Sequence, residues 1–90
     1  MSGVRMVYFA WVRERIGRAE ENLEPPKSVA TLDQLLDWLV TLGPEYRLAL
    51  GDRRAIRAAI NQEHAGWDAR LPDGCPDGFE VALFPPVTGG

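Results

Sequence analysis

The sequence is poor in the residues that mark several protein classes. It contains one cysteine (Cys75), one histidine (His64) and one lysine (Lys27). A lone cysteine cannot form an internal disulfide, so no disulfide-stapled secreted domain is predicted. His64 has no partner histidine or cysteine nearby in sequence, and a metal site needs several ligands. We expect it either to cap a turn or to lie near the partner-facing edge. A single lysine also argues, weakly, against a modifier that builds polymers on itself.

An excess of positive charge and long apolar runs are missing as well. The formal net charge is −3, whereas a general nucleic-acid binder carries a basic excess. No segment approaches the roughly 20 apolar residues of a membrane span, and the first residues lack the apolar core of a signal peptide. We therefore expect a soluble cytoplasmic protein. No glycine-rich phosphate loop follows a predicted strand, so we expect no bound cofactor and expect ATP to be used by a partner enzyme.

The arginines are clustered, which leaves two interpretations open. One group is Arg13, Arg15 and Arg18, and the other is Arg53, Arg54 and Arg57. Charged runs are commonly solvated surface. The alternative is that one of the clusters docks an acidic partner.

The composition indicates one globular domain. The chain has 90 residues, of which 46% are hydrophobic, and this supports a modest core. Alternating apolar residues and breakers predict strands over residues 4–13, 20–24, 55–61, 63–67 and 79–84. A turn is expected at 13–17, a short helical turn over 44–50, and a breaker-rich loop over 68–78.

The strongest helix signal covers residues 31–42. Thr31 followed by Gln34 forms a capping-box pattern. Leucines then recur at the spacing of one helix face, at positions 32, 35, 36 and 39. Gly43 is the expected residue just past the helix end, and Pro44 prevents continuation.

These elements predict an α+β fold in which a mixed sheet of four to five strands packs on one main helix. The first and last strands are the most apolar, so we expect them side by side in the centre. The first strand is apolar on both faces, which means that either both faces are covered or one is reserved for a partner. On the face opposite the helix we expect Phe9 and Phe84, with Trp11 and Ala82 nearby, as a docking patch.

The chain ends in an extended tail over residues 84–90, which follows a domain over residues 1–83. Pro85 and Pro86 restrict the backbone to extended conformations. Gly89 and Gly90 carry no side chain, so the tip is only as wide as the backbone and could enter a narrow slot. A terminal carboxylate in such a slot could be adenylated and then converted to a thiocarboxylate, which makes the tail a covalent group carrier.

Three stretches together resemble a known family. They are Val7-Tyr8-Phe9-Ala10-Trp11-Val12-Arg13-Glu14 with Gly17, then Ala59-Ile60-Asn61-Gln62-Glu63, and then Glu80 to the Phe84-Pro85-Pro86-Val87-Thr88-Gly89-Gly90 terminus. The sequence resembles the small, sulfur-carrying subunit of molybdopterin synthase, a ubiquitin-like β-grasp protein. One departure is Phe79 in Asp77-Gly78-Phe79-Glu80-Val81, where the family usually has an aspartate.

The resemblance implies a specific activity. Gly90, next to Gly89, would be adenylated by an ATP-dependent activating enzyme and become a thiocarboxylate. Its sulfur would go to cyclic pyranopterin monophosphate in the large catalytic subunit, within a heterotetramer, to build the molybdopterin dithiolene. The implied partner-binding residues are Phe9, Phe84, Pro85, Pro86, Val87 and Thr88.

Three other functions remain open at this stage. A related carrier serves thiazole formation in thiamine synthesis, a ubiquitin-like modifier would conjugate to lysines through Gly90, and an interaction module would only dock its tail. Cys75 lies between Gly74 and Pro76 with no activating neighbour in sequence, so we do not expect it to relay sulfur.

Overall fold

A computed structural model describes residues 3–72 and 78–86. Two sequence predictions concern residues outside these ranges: the role of Cys75, and the tail positions Val87, Thr88, Gly89 and Gly90. The described part contains five strands, three α-helices and one 3₁₀ turn, in this order: β1 (Val4–Tyr8), α1 (Ala10–Ile16), β2 (Glu20–Leu23), α2 (Leu32–Leu39), α3 (Pro44–Leu50), the 3₁₀ turn (Arg53–Ala55), β3 (Arg57–Ile60), β4 (Glu63–Ala65) and β5 (Glu80–Phe84).

The strands form one mixed sheet in the order β2-β1-β5-β3-β4. β1 and β5 are parallel neighbours in its interior, and the other pairs are antiparallel. The expected central pairing of the first and last strands is confirmed. It places Tyr8, the last residue of β1, beside Leu83, next to the last residue of β5. Residue 9 and the root of the tail are therefore close together.

α2 begins as its sequence predicts. The Thr31 hydroxyl oxygen accepts a hydrogen bond from the Gln34 amide at 3.2 Å, and the Gln34 side chain accepts one from the Ala30 amide at 2.7 Å. These bonds satisfy amide groups that have no partner inside the helix. The four leucines of the stripe are fully buried: Leu32, Leu35, Leu36 and Leu39.

The loop after β4 completes the start of α2. The carbonyl of Ala69 accepts a hydrogen bond from the Leu32 amide at 3.0 Å, and that of Trp67 accepts one from the Asp33 amide at 2.9 Å. The first part of the predicted 68–78 loop is thus bound to the helix, and its Leu71 is buried.

Replacing Thr31 with Ala should lower the free energy of unfolding by about 1 kcal/mol, the usual effect of losing a helix N-cap. Chemical denaturation measures this directly. Thr41→Ala is the control. Thr41 lies beyond the C-terminal end of α2, and its hydroxyl donates to the Trp38 carbonyl in the last turn of the helix. Equal losses in the two variants would contradict a special role for Thr31.

The predicted strand over residues 4–13 is wrong in its second half. The strand ends at Tyr8, and residues 10–16 form α1. Val12 and Ile16 are four apart and both buried, which is a helical spacing that the alternation of the preceding residues obscured. Ala10 has φ +53°, which breaks the strand. The predicted turn at 13–17 is accordingly the end of α1, where Gly17 adopts φ +90°.

Gly43 also has a different role from the one predicted. α2 ends at Leu39, and Gly43 is the N-cap residue of α3, whose first residue is Pro44. The predicted helical turn over 44–50 is confirmed, and it is a full helix. One main helix was expected on the sheet. In the structure, buried residues of α1 and α3 share a single core with those of α2 and the sheet.

The two faces of the sheet differ sharply. Val4, Met6, Tyr8, Val81 and Leu83 point to the helices and belong to one buried cluster with them. Because side chains alternate along a strand, the residues between them lie on the opposite face. We call this second surface the open face.

A polar cluster lies at the margin of the core. The Glu21 carboxylate accepts hydrogen bonds from the Tyr8 and Tyr46 hydroxyls, each at 2.7 Å, and from the Arg18 guanidinium at 2.8 Å. Burial alone would raise the pKa of Glu21, but these three donors outweigh it and hold the pKa below its ordinary value. Burial, reinforced by the Glu21 carboxylate, raises the pKa of Tyr46 to about 12 and that of Tyr8 further.

Candidate partner-docking face

A row of small side chains forms the floor of the open face. Strand pairing aligns Val7 with Ala82, Ala82 with Ala59, and Ala59 with His64 across four strands. The two alanines are nearly buried, at 6–7% exposure, because taller neighbours surround them. The result is a depression in the middle of the sheet.

Aromatic side chains form the walls of this depression. The Phe84 ring meets the His64 ring edge-on, with centroids 5.4 Å apart and an interplanar angle of 80°. Phe9 is 49% exposed, unusual for so large an apolar side chain. Together they border an open groove of about 500 Å³, lined by Phe9, Ala59, Gln62, His64, Glu80, Ala82 and Phe84.

Phe9 is held in place by its backbone. Its amide donates to the Leu83 carbonyl at 3.1 Å, and its own carbonyl accepts from the Val12 and Arg13 amides at 3.1 and 3.3 Å. The residue thus ends the β1 ladder and caps α1 at once. This double role fixes the backbone of Phe9 next to β5, so the ring projects from a defined position beside the root of the tail.

The tail leaves from one end of the groove. Pro85 and Pro86 follow Phe84 directly and are half-buried. Partner binding by Pro85 and Pro86, and by Val87 and Thr88, stays a prediction, as does the reactivity of Gly89 and Gly90. What the structure does bring together is Phe9, Phe84 and Ala82, in one groove at the root of the tail.

Trp11 does not join this groove, and that prediction is wrong. It lies on α1, where it packs against the helix-side core and the Arg15 guanidinium sits 4.5 Å above its ring. The reason is the change from strand to helix at residue 10, which removes Trp11 from the alternation of β1.

The strand over 63–67 was predicted and is β4, but neither it nor Gln62 was assigned to the groove that both line. Asn61 and Gln62 both have positive φ, 48° and 71°, as a two-residue hairpin turn requires. That turn sets the register that puts His64 opposite Ala59. Asn61 also pairs with β5, since its side-chain oxygen accepts from the Glu80 amide at 2.9 Å. The sequence signal for this register was the Asn61-Gln62 pair, which indicates a two-residue turn between the two predicted strands.

Charges on the open face are unevenly distributed. Arg5 lies 2.8 Å from Glu20 and 3.8 Å from Glu80, so carboxylates surround it. Arg57, directly opposite Phe84 across the β3–β5 pair, is exposed. Its Nη1 donates to two backbone carbonyls, those of Ile56 at 3.0 Å and Arg54 at 3.4 Å.

Residues 3–72 and 78–86 contain neither a metal-binding cluster nor a membrane-spanning helix. Among them no group of three or more His, Cys, Asp or Glu side chains is placed to hold a metal ion. Within the same ranges, no helix has the length and apolar character to cross a membrane.

The chain is similar to known proteins in sequence and in fold. The family model described as "ThiS family" matches residues 6–90. The chain belongs to the ThiS family. It is 36% identical over 87 residues to the molybdopterin synthase sulfur carrier subunit of Escherichia coli, covering 97% of this chain and 99% of that protein. It is 34% identical, with the same coverage, to the protein of that name from Haemophilus influenzae.

The fold of this ThiS-family chain also matches a solved structure. SAMP1 from Haloferax volcanii superposes with a TM-score of 0.69 at 28% identity, covering 98% of this chain and 99% of that one. The predicted fold class, a ubiquitin-like β-grasp with a mixed sheet, is confirmed.

Proposed function

We propose that this ThiS-family protein is the sulfur carrier subunit of a molybdopterin synthase. The observation that carries the proposal is its 34–36% identity, over 97% of its length, to two proteins that bear this name. The Gly89-Gly90 end agrees with it, because sulfur carriage needs a thin tip that can enter another protein's active site.

The chemistry takes place at the Gly90 carboxylate. A carboxylate is a poor electrophile, so an ATP-dependent activating enzyme first converts it to an acyl adenylate. Sulfur at the oxidation level of sulfide then displaces AMP and leaves a thiocarboxylate. The new sulfur is nucleophilic and is carried as a covalent group, and this chain supplies delivery and recognition.

The open-face groove docks the large catalytic subunit. Residues 1–83 form the recognition body, and residues 84–90 form the tail that enters the partner. The four residues beyond Pro86 span about 13 Å when extended. A partner seated on Phe9 and Phe84 thus has an active site within reach of Gly90, where the sulfur passes to cyclic pyranopterin monophosphate. We expect a heterotetramer with two copies of each subunit.

Copurification tests the proposal. The large subunit from the same organism should copurify with this protein, and the complex should form the dithiolene from the pterin precursor once Gly90 carries sulfur. A complex that forms but yields no product with the thiocarboxylate form would refute the sulfur-carrier function.

A protein modifier is the second candidate, and one observation favours it. The similarity to SAMP1 spans 98% of this chain at 28% identity, and SAMP1 stands for small archaeal modifier protein 1. In that case Gly90 would end in an isopeptide bond to a lysine of another protein. Mass spectrometry of tagged protein from cells distinguishes the two, because a modifier yields branched peptides and a carrier yields a free thiocarboxylate.

Phe84→Ala should raise the dissociation constant for the large subunit roughly 30-fold, about 2 kcal/mol, as expected for a central aromatic anchor. Phe9→Ala should act in the same direction. Isothermal titration calorimetry measures both. Leu48→Ala is the matched control, because Leu48 is 68% exposed on α3, which packs on the helix side of the sheet. Unchanged affinity in Phe84→Ala would rule out the groove as the docking site.

A further inference from the structure

One cation stands out on the open face. Arg57 is the first residue of β3 and pairs directly with Phe84, so both side chains lie on the same face of the sheet. The chain as a whole is acidic, with a net charge of −3, so an exposed arginine beside the aromatic groove and the tail root runs against the overall charge.

The charge of Arg57 is not balanced within the described residues. Arg5, on the same face, has two carboxylates within 4 Å, and Arg53 forms ion pairs with Asp33 and Asp37. For Arg57 the described residues provide only carbonyl acceptors, both to Nη1. A guanidinium has five N–H donors in a planar fork, so the donors on Nε and Nη2 are left for an external acceptor.

Its geometry suits a carboxylate. The two carbonyl contacts fix one edge of the guanidinium, and the remaining fork matches the two oxygens of a carboxylate. Holding the fork in place before binding reduces the entropy lost when a partner docks.

The position argues against phosphate groups as the acceptor. The tail chemistry happens at Gly90, and an extended tail reaches at most about 20 Å from Phe84. With the tail extended into a partner's active site, as proposed, the phosphates of ATP or of the pterin are held away from Arg57. Nucleic acid would need a row of cations, and the next cation on this face, Arg5, is already paired with Glu20.

We propose that Arg57 is a specificity determinant that pairs with a carboxylate on the large catalytic subunit, at the rim of the groove. This inference rests on the proposed function. The aromatic groove supplies the apolar contact, and Arg57 selects partners with an acidic side chain beside the entrance for the tail. A rim charge of this kind acts on register and on the choice of partner more than on total affinity.

The test is the dissociation constant of the complete chain for the large subunit from the same organism, measured at several salt concentrations. Arg57→Glu should weaken binding about tenfold or more, since it places like charges together. Arg57→Gln should weaken it roughly two- to fivefold, as for one exposed ion pair, and should reduce the salt dependence of binding. Arg57→Lys should recover part of the loss.

Arg47→Glu is the control, because it makes the same charge change at an exposed position of α3. Equal weakening by Arg47→Glu and Arg57→Glu would show that only net charge matters and would overturn the proposal. So would unchanged binding by Arg57→Glu and Arg57→Gln together.

The two proposals fail in distinguishable ways. If the wild-type chain binds the large subunit and yields product while the Arg57 variants bind as tightly, only the inference about Arg57 is wrong. If the wild-type chain does not bind the large subunit at all, the proposed function and this inference both fall.

Discussion

Deletion of Gly90 is expected to abolish sulfur transfer while leaving the fold intact. The deletion draws the terminal carboxylate back by about 3.5 Å along an extended chain, and a misplacement of only 1 Å at a reaction centre can reduce a rate about 100-fold. Product formation from the pterin precursor should therefore fall below detection. Adding one alanine after Gly90 should have the same effect, because the added Cβ and the shifted carboxylate both oppose entry into a narrow slot.

The control for this experiment is the folding of the same variants. Both should unfold at the wild-type denaturant midpoint, and both should still bind the large subunit through the open-face groove. If the chain lengthened by one alanine still supports full product formation, Gly90 does not have to be the terminal residue.

Glu21→Ala is expected to lower the free energy of unfolding by about 3 kcal/mol, a large fraction of the stability of a domain this small. The Tyr8 hydroxyl, on a side chain that is only 1% exposed, loses its hydrogen-bond acceptor, and so does the hydroxyl of Tyr46. A buried donor without a partner costs about 1–3 kcal/mol. The melting temperature should fall by roughly 15 °C, as measured by circular dichroism.

Glu20→Ala is the matched control for this loss. Glu20 is the preceding residue of β2, and it pairs with Arg5 at 2.8 Å on the exposed surface. An exposed ion pair contributes between 0 and about 1 kcal/mol. If Glu20→Ala destabilises as much as Glu21→Ala, the polar cluster is not the source of the effect.

The polar cluster around Glu21 also makes the stability of the fold depend on pH. The pKa of Glu21 is lowered by folding, so the stabilisation is present above the unfolded pKa of about 4.3 and is lost as pH falls through the lower folded value. The pKa of Tyr46 is raised to about 12, so stability is also lost as pH rises above about 10. Glu21→Gln should flatten the acid side of this profile.

The sequence predicted much of the fold because several local signals agreed with the tertiary structure. The capping residue Thr31 and the leucine stripe of α2 both act over a single helix, and the apolar strands β1 and β5 could be recognised without their partners. Where the prediction failed, at residues 9–16, two periodicities overlapped. Val12 and Ile16 fit a helix while the preceding residues alternate. The strand ends where the pairing of β1 with β5 stops at Tyr8 and Ala10 turns to φ +53°.

The candidate site was predicted in part for the same reason. Phe9 and Phe84 were placed correctly on one face. Phe9 directly follows β1 and Phe84 ends β5, and these two strands are parallel neighbours whose ends lie together. For His64 the sequence left open whether it caps a turn or lies near the partner-facing edge. The register across β3, β4 and β5 decides this, and it places Arg57 on the same face. The charge balance around Arg57 depends on distances that alternation alone does not give.

Sulfur carriage by Gly90 can be read from the mass of the C-terminus itself. The purified protein is incubated with ATP, a sulfur source and its activating enzyme, and the intact mass and the C-terminal peptide are then read by mass spectrometry. One oxygen of the Gly90 carboxylate should be replaced by sulfur. An unmodified terminus after complete incubation with a demonstrably active enzyme, or an amide bond from Gly90 to a lysine, would contradict it.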